Sequence, residues 1–378
     1  MKLISKNFVN LWTSYATYYF GKVNLSLIIP LLIVTYGLSK HQLGAVASAF
    51  LFAYAIGQFI HGFLSERFNP FTYMGMGLIL SAVMNTLLGF SSGLFFILFF
   101  GEMMDGFFQS MGWSSCVRST STLHISEKEK ATTILGTSYQ IGNSVAWLVT
   151  GFVIHYLGWQ WGFWFAAIVM FLRGLTLQIN KPDIPKTERT TLQQARRTFT
   201  MPVIIAGVAL ALLNFVRYGV IVWVPLYLFE VHGLGIAKVG LKIFLIPIAG
   251  CLGTLIYNKF DKNRERLTII YMVGLTIVIA LFPFTVGMLS SMLIVASGFF
   301  LYGPHVFFVA TVPGRYIEQK ITASSTGTID GMGYVGAMLT GVIVPFILKA
   351  GWNEVFYVWA FCCIIIAFLS RYVMERVK

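Results

Sequence analysis

The sequence predicts an all-α membrane protein, with twelve transmembrane helices arranged as two pseudo-symmetric six-helix bundles. Three observations carry that expectation. Of 378 residues, 57% are hydrophobic and only 11% are charged, against roughly a quarter charged in an ordinary soluble domain. Residues 68–101 and 267–314 contain no Lys, Arg, Asp or Glu, and a bilayer crossing needs about 20 apolar residues, so each run holds two crossings. The 36 glycines and 11 prolines sit inside the apolar runs rather than between them, as they do in transmembrane helices. This composition excludes a soluble enzyme, a disordered tail and a disulfide scaffold.

Charged and turn-rich points set the limits of each segment. The first, 9–36, follows Lys2 and Lys6 and ends before the turn Leu38-Ser-Lys-His41. The second, 42–63, runs into Ser65-Glu-Arg-Phe-Asn-Pro70. Segments 70–90 and 93–114 share the first charge-free run. Ser126-Glu-Lys-Glu-Lys130 precedes 131–155, and Gly158-Trp159 separates that segment from 160–179. Residues 181–200, with Pro182, Pro185 and a Lys/Arg cluster, read as a linker. Beyond it lie 202–229 and 236–257, then the charged turn Asp261-Lys-Asn-Arg-Glu-Arg266. Segments 267–287 and 290–312 share the second charge-free run, Glu318-Gln-Lys320 precedes 322–347, and 352–373 completes the set. The expected domains are therefore 1–180, the linker 181–200, and 201–378.

The net charge of +13 does not point to nucleic acid. The cations fall in short loops, with no basic face to follow a phosphate backbone. Placing the N-terminus inside puts most of the 27 Lys and Arg on the cytoplasmic side, as the positive-inside bias requires. Both termini and the linker are then cytoplasmic. Lys22, Arg173 and Arg217 are the cations that fall within helices. Cys116, Cys251, Cys362 and Cys363 lie in or beside apolar segments without metal-ligand spacing and read as small core residues. No metal or cofactor is expected. The first apolar segment is full length and lacks a small-residue cleavage site, which argues against a removable signal peptide.

The halves resemble each other. Lys22 lies eight residues before Pro30, and Arg217 lies eight before Pro225. Repeats of this kind mark secondary transporters, whose solute site lies near the midplane between the halves.

Several stretches resemble the major facilitator superfamily and, within it, the organophosphate:phosphate antiporters that carry glycerol 3-phosphate and hexose phosphates. They are Tyr15-Ala-Thr-Tyr-Tyr-Phe-Gly-Lys-Val-Asn24, Gly62-Phe-Leu-Ser-Glu-Arg-Phe-Asn-Pro70 and Gln109-Ser-Met-Gly-Trp-Ser-Ser-Cys-Val-Arg118. In the second half they are Arg217-Tyr-Gly-Val-Ile-Val-Trp-Val-Pro-Leu-Tyr227, Tyr302-Gly-Pro304 and Gly331-Met-Gly-Tyr-Val-Gly336. The resemblance implies that one arginine from the first helix and one from the seventh grip the substrate phosphate. Arg217 falls on the seventh-helix position, while Lys22 stands at the first-helix position, a point charge rather than a bidentate fork. It also implies roles for Tyr54, Tyr139, Tyr302 and Tyr334, with Gln58 replacing a lysine and Asn214 a tyrosine. Glu66 and Arg67, in the Gly62–Pro70 turn, are implied to act as a gate device.

Read from spacing alone, Tyr15, Tyr18, Tyr19 and Lys22 share one helical face, and a lipid-facing Lys22 would cost several kcal/mol. Asn214, Arg217 and Tyr218 form a similar face. Glu102, Asp105, Gln109 and Trp113 line one face of the fourth helix, Asp330 lies in the eleventh, and His305 follows the Tyr302-Gly-Pro304 turn. Glu102, Asp105, Asp330 and His305 are the candidates for proton coupling; the alternative is that Asp105 neutralises Lys22 and Asp330 neutralises Arg217.

The expected function is secondary active transport of a small organic anion by alternating access, in exchange for phosphate. Proton-coupled symport of a carboxylate, a drug-efflux carrier, and a transporter-like sensor are the alternatives. Partners are then the solute, phosphate or protons as coupling species, and the bilayer of the cytoplasmic membrane, with a monomer sufficient. The absence of a Gly-Lys-Ser/Thr phosphate loop argues against an ATPase, and no nucleophile–base pair suggests an enzyme.

Overall fold

The structure is a computed structural model and describes residues 6–65, 67–120, 125–179, 200–260, 264–314 and 322–376. Twelve long helices occupy the twelve expected segments: α1 (Lys6–Tyr36), α2 (Lys40–Leu64), α3 (Pro70–Gly89), α4 (Phe95–Thr120), α5 (Ile125–Leu157) and α6 (Gln160–Ile179) in the first half. The second half supplies α7 (Met201–Glu230), α8 (Ile236–Lys259), α9 (Arg264–Leu281), α10 (Gly287–Val306), α11 (Thr322–Ile347) and α12 (Trp352–Arg376). Among the described residues there is no strand. Ten helices are long and apolar enough to cross a membrane by composition alone. In α4 and α5 the apolar run is diluted by polar residues, among them Glu102, Asp105 and Gln109 in α4.

Local chemistry sets the ends. Ser39 and Gln42 form a capping box at the start of α2, with Gln42 N donating to Ser39 Oγ at 3.2 Å and Ser39 N to Gln42 Oε1 at 2.9 Å. These bonds satisfy helix-terminal donors that would otherwise go unpaired. Asn69 caps α3 through Phe71 N at 3.0 Å, with Pro70 at the first helical position, where its missing N–H costs nothing. Gly37, at φ +66°, ends α1, a conformation that favours glycine.

Four segments differ from expectation, one of them α8, which divides at Phe244 into Ile236–Ile243 and Leu245–Lys259. The first segment is not one regular helix: it divides into Lys6–Thr17 and Tyr19–Tyr36, with a turn at Tyr18. There the Tyr18 hydroxyl donates to Met74 O at 2.7 Å, drawing its side chain toward α3. Helices α4 and α5 run past the apolar segments 93–114 and 131–155, because polar residues end a hydrophobic run without ending backbone hydrogen bonding.

The chain folds as two compact units, Met1–Arg189 with Pro225–Phe244, and Thr190–Val224 with Leu245–Lys378. Each unit repeats the same helix pairings. In the first, α2 packs on α4, α3 on α6 and α3 on α4; in the second, α8 packs on α10, α9 on α12 and α9 on α10. The close approaches repeat residue by residue. A Cβ at Gly106 would strike the Phe50 carbonyl and one at Gly57 the Ser110 side chain, while Cβ atoms at Gly298 and Gly253 would strike the Ile246 and Phe299 carbonyls. Likewise Gly142 of α5 abuts Ala16 of α1, and Gly336 of α11 abuts Ala211 of α7. Small residues at these crossings let backbones meet without a side chain between them.

Candidate functional site

In the first unit, the lower half of α1 is anchored by Arg173 of α6. Its Nε donates to Ser14 Oγ at 3.0 Å, and its Nη2 to Asn10 O at 2.8 Å, to Thr13 Oγ1 at 2.7 Å and to Asn10 Oδ1. Arg173 is therefore a staple between helices. That anchor places the next turns of α1, which carry Tyr15, Tyr19 and Lys22.

The Tyr15 ring lies 5.3 Å from that of Trp113 and 6.0 Å from that of Tyr19, which stacks on Tyr139 at 6.1 Å. Lys22 Nζ stands 3.7 Å from the Tyr54 ring centroid and 5.4 Å from that of Tyr19. The six residues expected from α1, α2, α4 and α5 thus form one aromatic cluster around an ammonium group. A cation over a desolvated ring gains about 0.5–2 kcal/mol, which helps hold Lys22 in place. Tyr18 departs from the expected shared face. It turns into the core, where Gly77 and Gly112 make room for its ring.

Behind this cluster lies a polar core. Asp105 is fully buried and accepts from Ser81 Oγ, from Asn85 Nδ2 at 2.9 Å and from Gln109 Nε2 at 3.0 Å. Asn85 in turn accepts from Asn24 Nδ2 at 2.9 Å. Glu102, one turn before Asp105, is also buried. Sequence reasoning missed Asn24, Ser81 and Asn85; the available signal was the pair of polar residues four apart in the otherwise apolar α3.

In the second unit, Arg217 is buried on α7, its guanidinium carbon 5.0 Å from the Tyr218 ring and 6.0 Å from that of Tyr302. The Tyr218 ring lies 6.3 Å from that of Tyr334. Asn214, one turn before Arg217, is fully buried, and a Cβ on Gly333 of α11 would meet its amide nitrogen. His305 of α10 is within electrostatic range of Arg217 and lies two residues before the π-helical turn of residues 307–311. Asp330 is partly exposed on α11, four residues before Tyr334. So Asn214, Arg217, Tyr302, Tyr334 and His305 gather from α7, α10 and α11. Arg67 is exposed, and Glu66 lies outside the described residues.

Each of the two units carries a cation on its first helix held against tyrosines. The family model of the Major Facilitator Superfamily matches residues 11–329. The chain belongs to that superfamily. It is a multi-pass membrane transporter of the Major Facilitator fold. It is 27% identical to a glycerol-3-phosphate transporter of Bacillus subtilis, over 96% of this chain and 90% of the relative. It is 26% identical to a probable hexose phosphate transport protein of Chlamydia trachomatis, over 96% and 89%. The membrane sensor protein UhpC of Escherichia coli is 23% identical over 88% and 83%. Among solved structures, the nucleoside transporter NupG in its D323A form superposes with a TM-score of 0.80 at 14% identity, over 97% of this chain and 99% of that one. That likeness is one of Major Facilitator fold.

Proposed function

We propose that this transporter carries a phosphorylated metabolite, or a similar small organic anion, across the cytoplasmic membrane in exchange for inorganic phosphate. The observation that supports this reading best is the matched pair of cations: Lys22 among Tyr19 and Tyr54, and Arg217 among Tyr218 and Tyr302. A cation held in an apolar bundle costs several kcal/mol unless it works on a counter-charge. The printed functions of the Bacillus and Chlamydia relatives agree with an organic phosphate. In this reading the bundles 1–180 and 201–378, joined by 181–200, work by alternating access, and Lys22 and Arg217 are the anion contacts. Both termini and the linker face the cytoplasm, and one copy suffices. Gln58 in place of a lysine lowers the positive charge of the site, and Lys22 in place of an arginine exchanges a bidentate fork for a point charge, which favours a less highly charged anion.

The test is exchange in reconstituted vesicles loaded with phosphate. External labelled glycerol 3-phosphate or glucose 6-phosphate should enter, and Arg217→Ala should abolish entry while the protein still inserts. Equal uptake by Arg217→Ala would remove the reading. Anion-dependent thermal stabilisation without any exchange would instead indicate a sensor, like the UhpC relative.

A further inference from the structure

The acids of α4 are not used by the anion clamp as described so far. Their surroundings show a surplus of hydrogen-bond acceptors. Three neutral donors, Ser81, Asn85 and Gln109, all point at Asp105. Around them, Glu102 Oε1 and Gln109 Oε1 are buried acceptors with no hydrogen-bond partner. Glu102 and Gln109 are 2% and 1% exposed, so bulk water does not satisfy them. The Asn85 amide is committed as well, its Nδ2 to Ser81 O and Asp105 and its Oδ1 to Asn24. A carboxylate only accepts, whereas a protonated carboxyl adds a donor.

Charge leads to the same place. Glu102 and Asp105 lie within electrostatic range of each other, and two carboxylates in a dry core do not both ionise. Asp105, with three donors, is the seat of the negative charge. Glu102, one turn away, has an orphan acceptor and is the seat of the proton. Of the other titratable groups, Lys22 and Tyr18 on α1 are within electrostatic range of Asp105, and Tyr54 on α2, Tyr73 on α3 and Cys116 on α4 are within range of Tyr18; α6 contributes the uncharged Met170. Lys22 is the cation among them, and it acts on Asp105.

We propose that Glu102 and Asp105 form a proton-binding site that holds one proton at rest and takes a second from water when an anion reaches Lys22. The step is a proton transfer: one O–H bond of a hydronium ion from the solvent breaks, leaving water, as an O–H bond forms on the Asp105 carboxylate. An arriving anion claims the Lys22 charge and adds its own negative charge to a low-dielectric region. Protonation of Asp105 removes one negative charge and restores the balance. Anion exchange then moves protons symmetrically, while net anion uptake is proton-linked. The inference rests on the reading of Lys22 as an anion contact.

Two measurements test it. In the ligand-free protein, the infrared band of protonated carboxyls should lose one component in Glu102→Gln; an unchanged band would overturn the resting proton. On addition of inorganic phosphate or glycerol 3-phosphate, calorimetry in two buffers of different ionisation heat counts protons taken up per anion. Wild type should take up about one more than Asp105→Asn with the same probe at the same pH, the probe's own titration being common to both. Glu102→Gln should keep that uptake, since Gln stands in for the neutral acid. Should Asp105→Asn misfold, growth of the protonated-carboxyl band of wild type on phosphate addition serves instead, and no growth sinks the coupling. Phosphate binding with no extra proton overturns this inference alone, whereas failure of every probe to bind the wild type overturns the anion reading beneath it.

Discussion

At the scale of single residues, the two cations carry unequal chemistry. Arg217 offers a planar fork and Lys22 a point charge, so under the proposed function each would hold a phosphate differently. Truncating one partner of a buried charge pair costs about 2–5 kcal/mol. Arg217→Ala should therefore weaken anion binding by roughly 30-fold to several thousand-fold, read as lost thermal stabilisation by phosphate. Lys22→Ala should behave alike, and Lys22→Arg should retain exchange if the solute is a phosphate ester. Asn214 gives a sharper test. Both its amide atoms are buried without hydrogen-bond partners, a state that costs about 1–3 kcal/mol. Asn214→Leu should leave the ligand-free protein equally or more stable to heat and raise the KM for exchange. Unchanged KM with raised stability would show that the amide serves no solute.

At the scale of elements, the helix crossings rest on glycine. A side chain at Gly106, Gly298 or Gly336 would meet the backbone of the facing helix, at Phe50, Ile246 and Ala211 respectively. Backbone yields less readily than a flexible side chain, and overpacking costs about 1–3 kcal/mol. Gly106→Val and Gly298→Val should each lower the thermal unfolding midpoint in detergent, and by similar amounts, because they occupy equivalent positions in the two repeats. Gly331→Ala, with nothing within 4 Å of the added Cβ, should be near neutral. A large gap between the two valine variants would argue against equivalent packing. The same scale explains Arg173. Hydropathy marks it as one more intramembrane cation, yet its bonds to Asn10, Thr13 and Ser14 make it a structural staple.

At the scale of the whole molecule, orientation follows from loop charge. Cysteine labelling from outside should reach positions 40 and 349, and labelling from inside should reach positions 2, 185 and 378, of which the last three lie outside the described residues. Lys40 is also partly exposed, in an ion pair with Glu230 at 2.7 Å. A loop labelled from the wrong side would break the two-bundle frame for that half.

The sequence by itself determined the membrane class, the twelve segments and the repeat, because the cost of burying charge and exposing backbone in lipid leaves few alternatives. It also marked the residues that would cluster: Tyr15, Tyr19, Lys22, Tyr54, Trp113 and Tyr139 on one side, and Asn214, Arg217, Tyr302, Tyr334 and His305 on the other. Helical period and the family resemblance place those residues on their faces without showing what each face meets. Only the tertiary structure decided that Tyr18 leaves its face for α3, since a hydrogen bond to Met74 O depends on which helix lies opposite. Only it decided that Asp105 is held by Ser81 and Asn85, and that Glu102 and Gln109 are left with orphan acceptors. Hydrogen-bond partners drawn from other helices have no period in the chain, so no spacing rule reveals them; packing alone brings a donor to an acceptor.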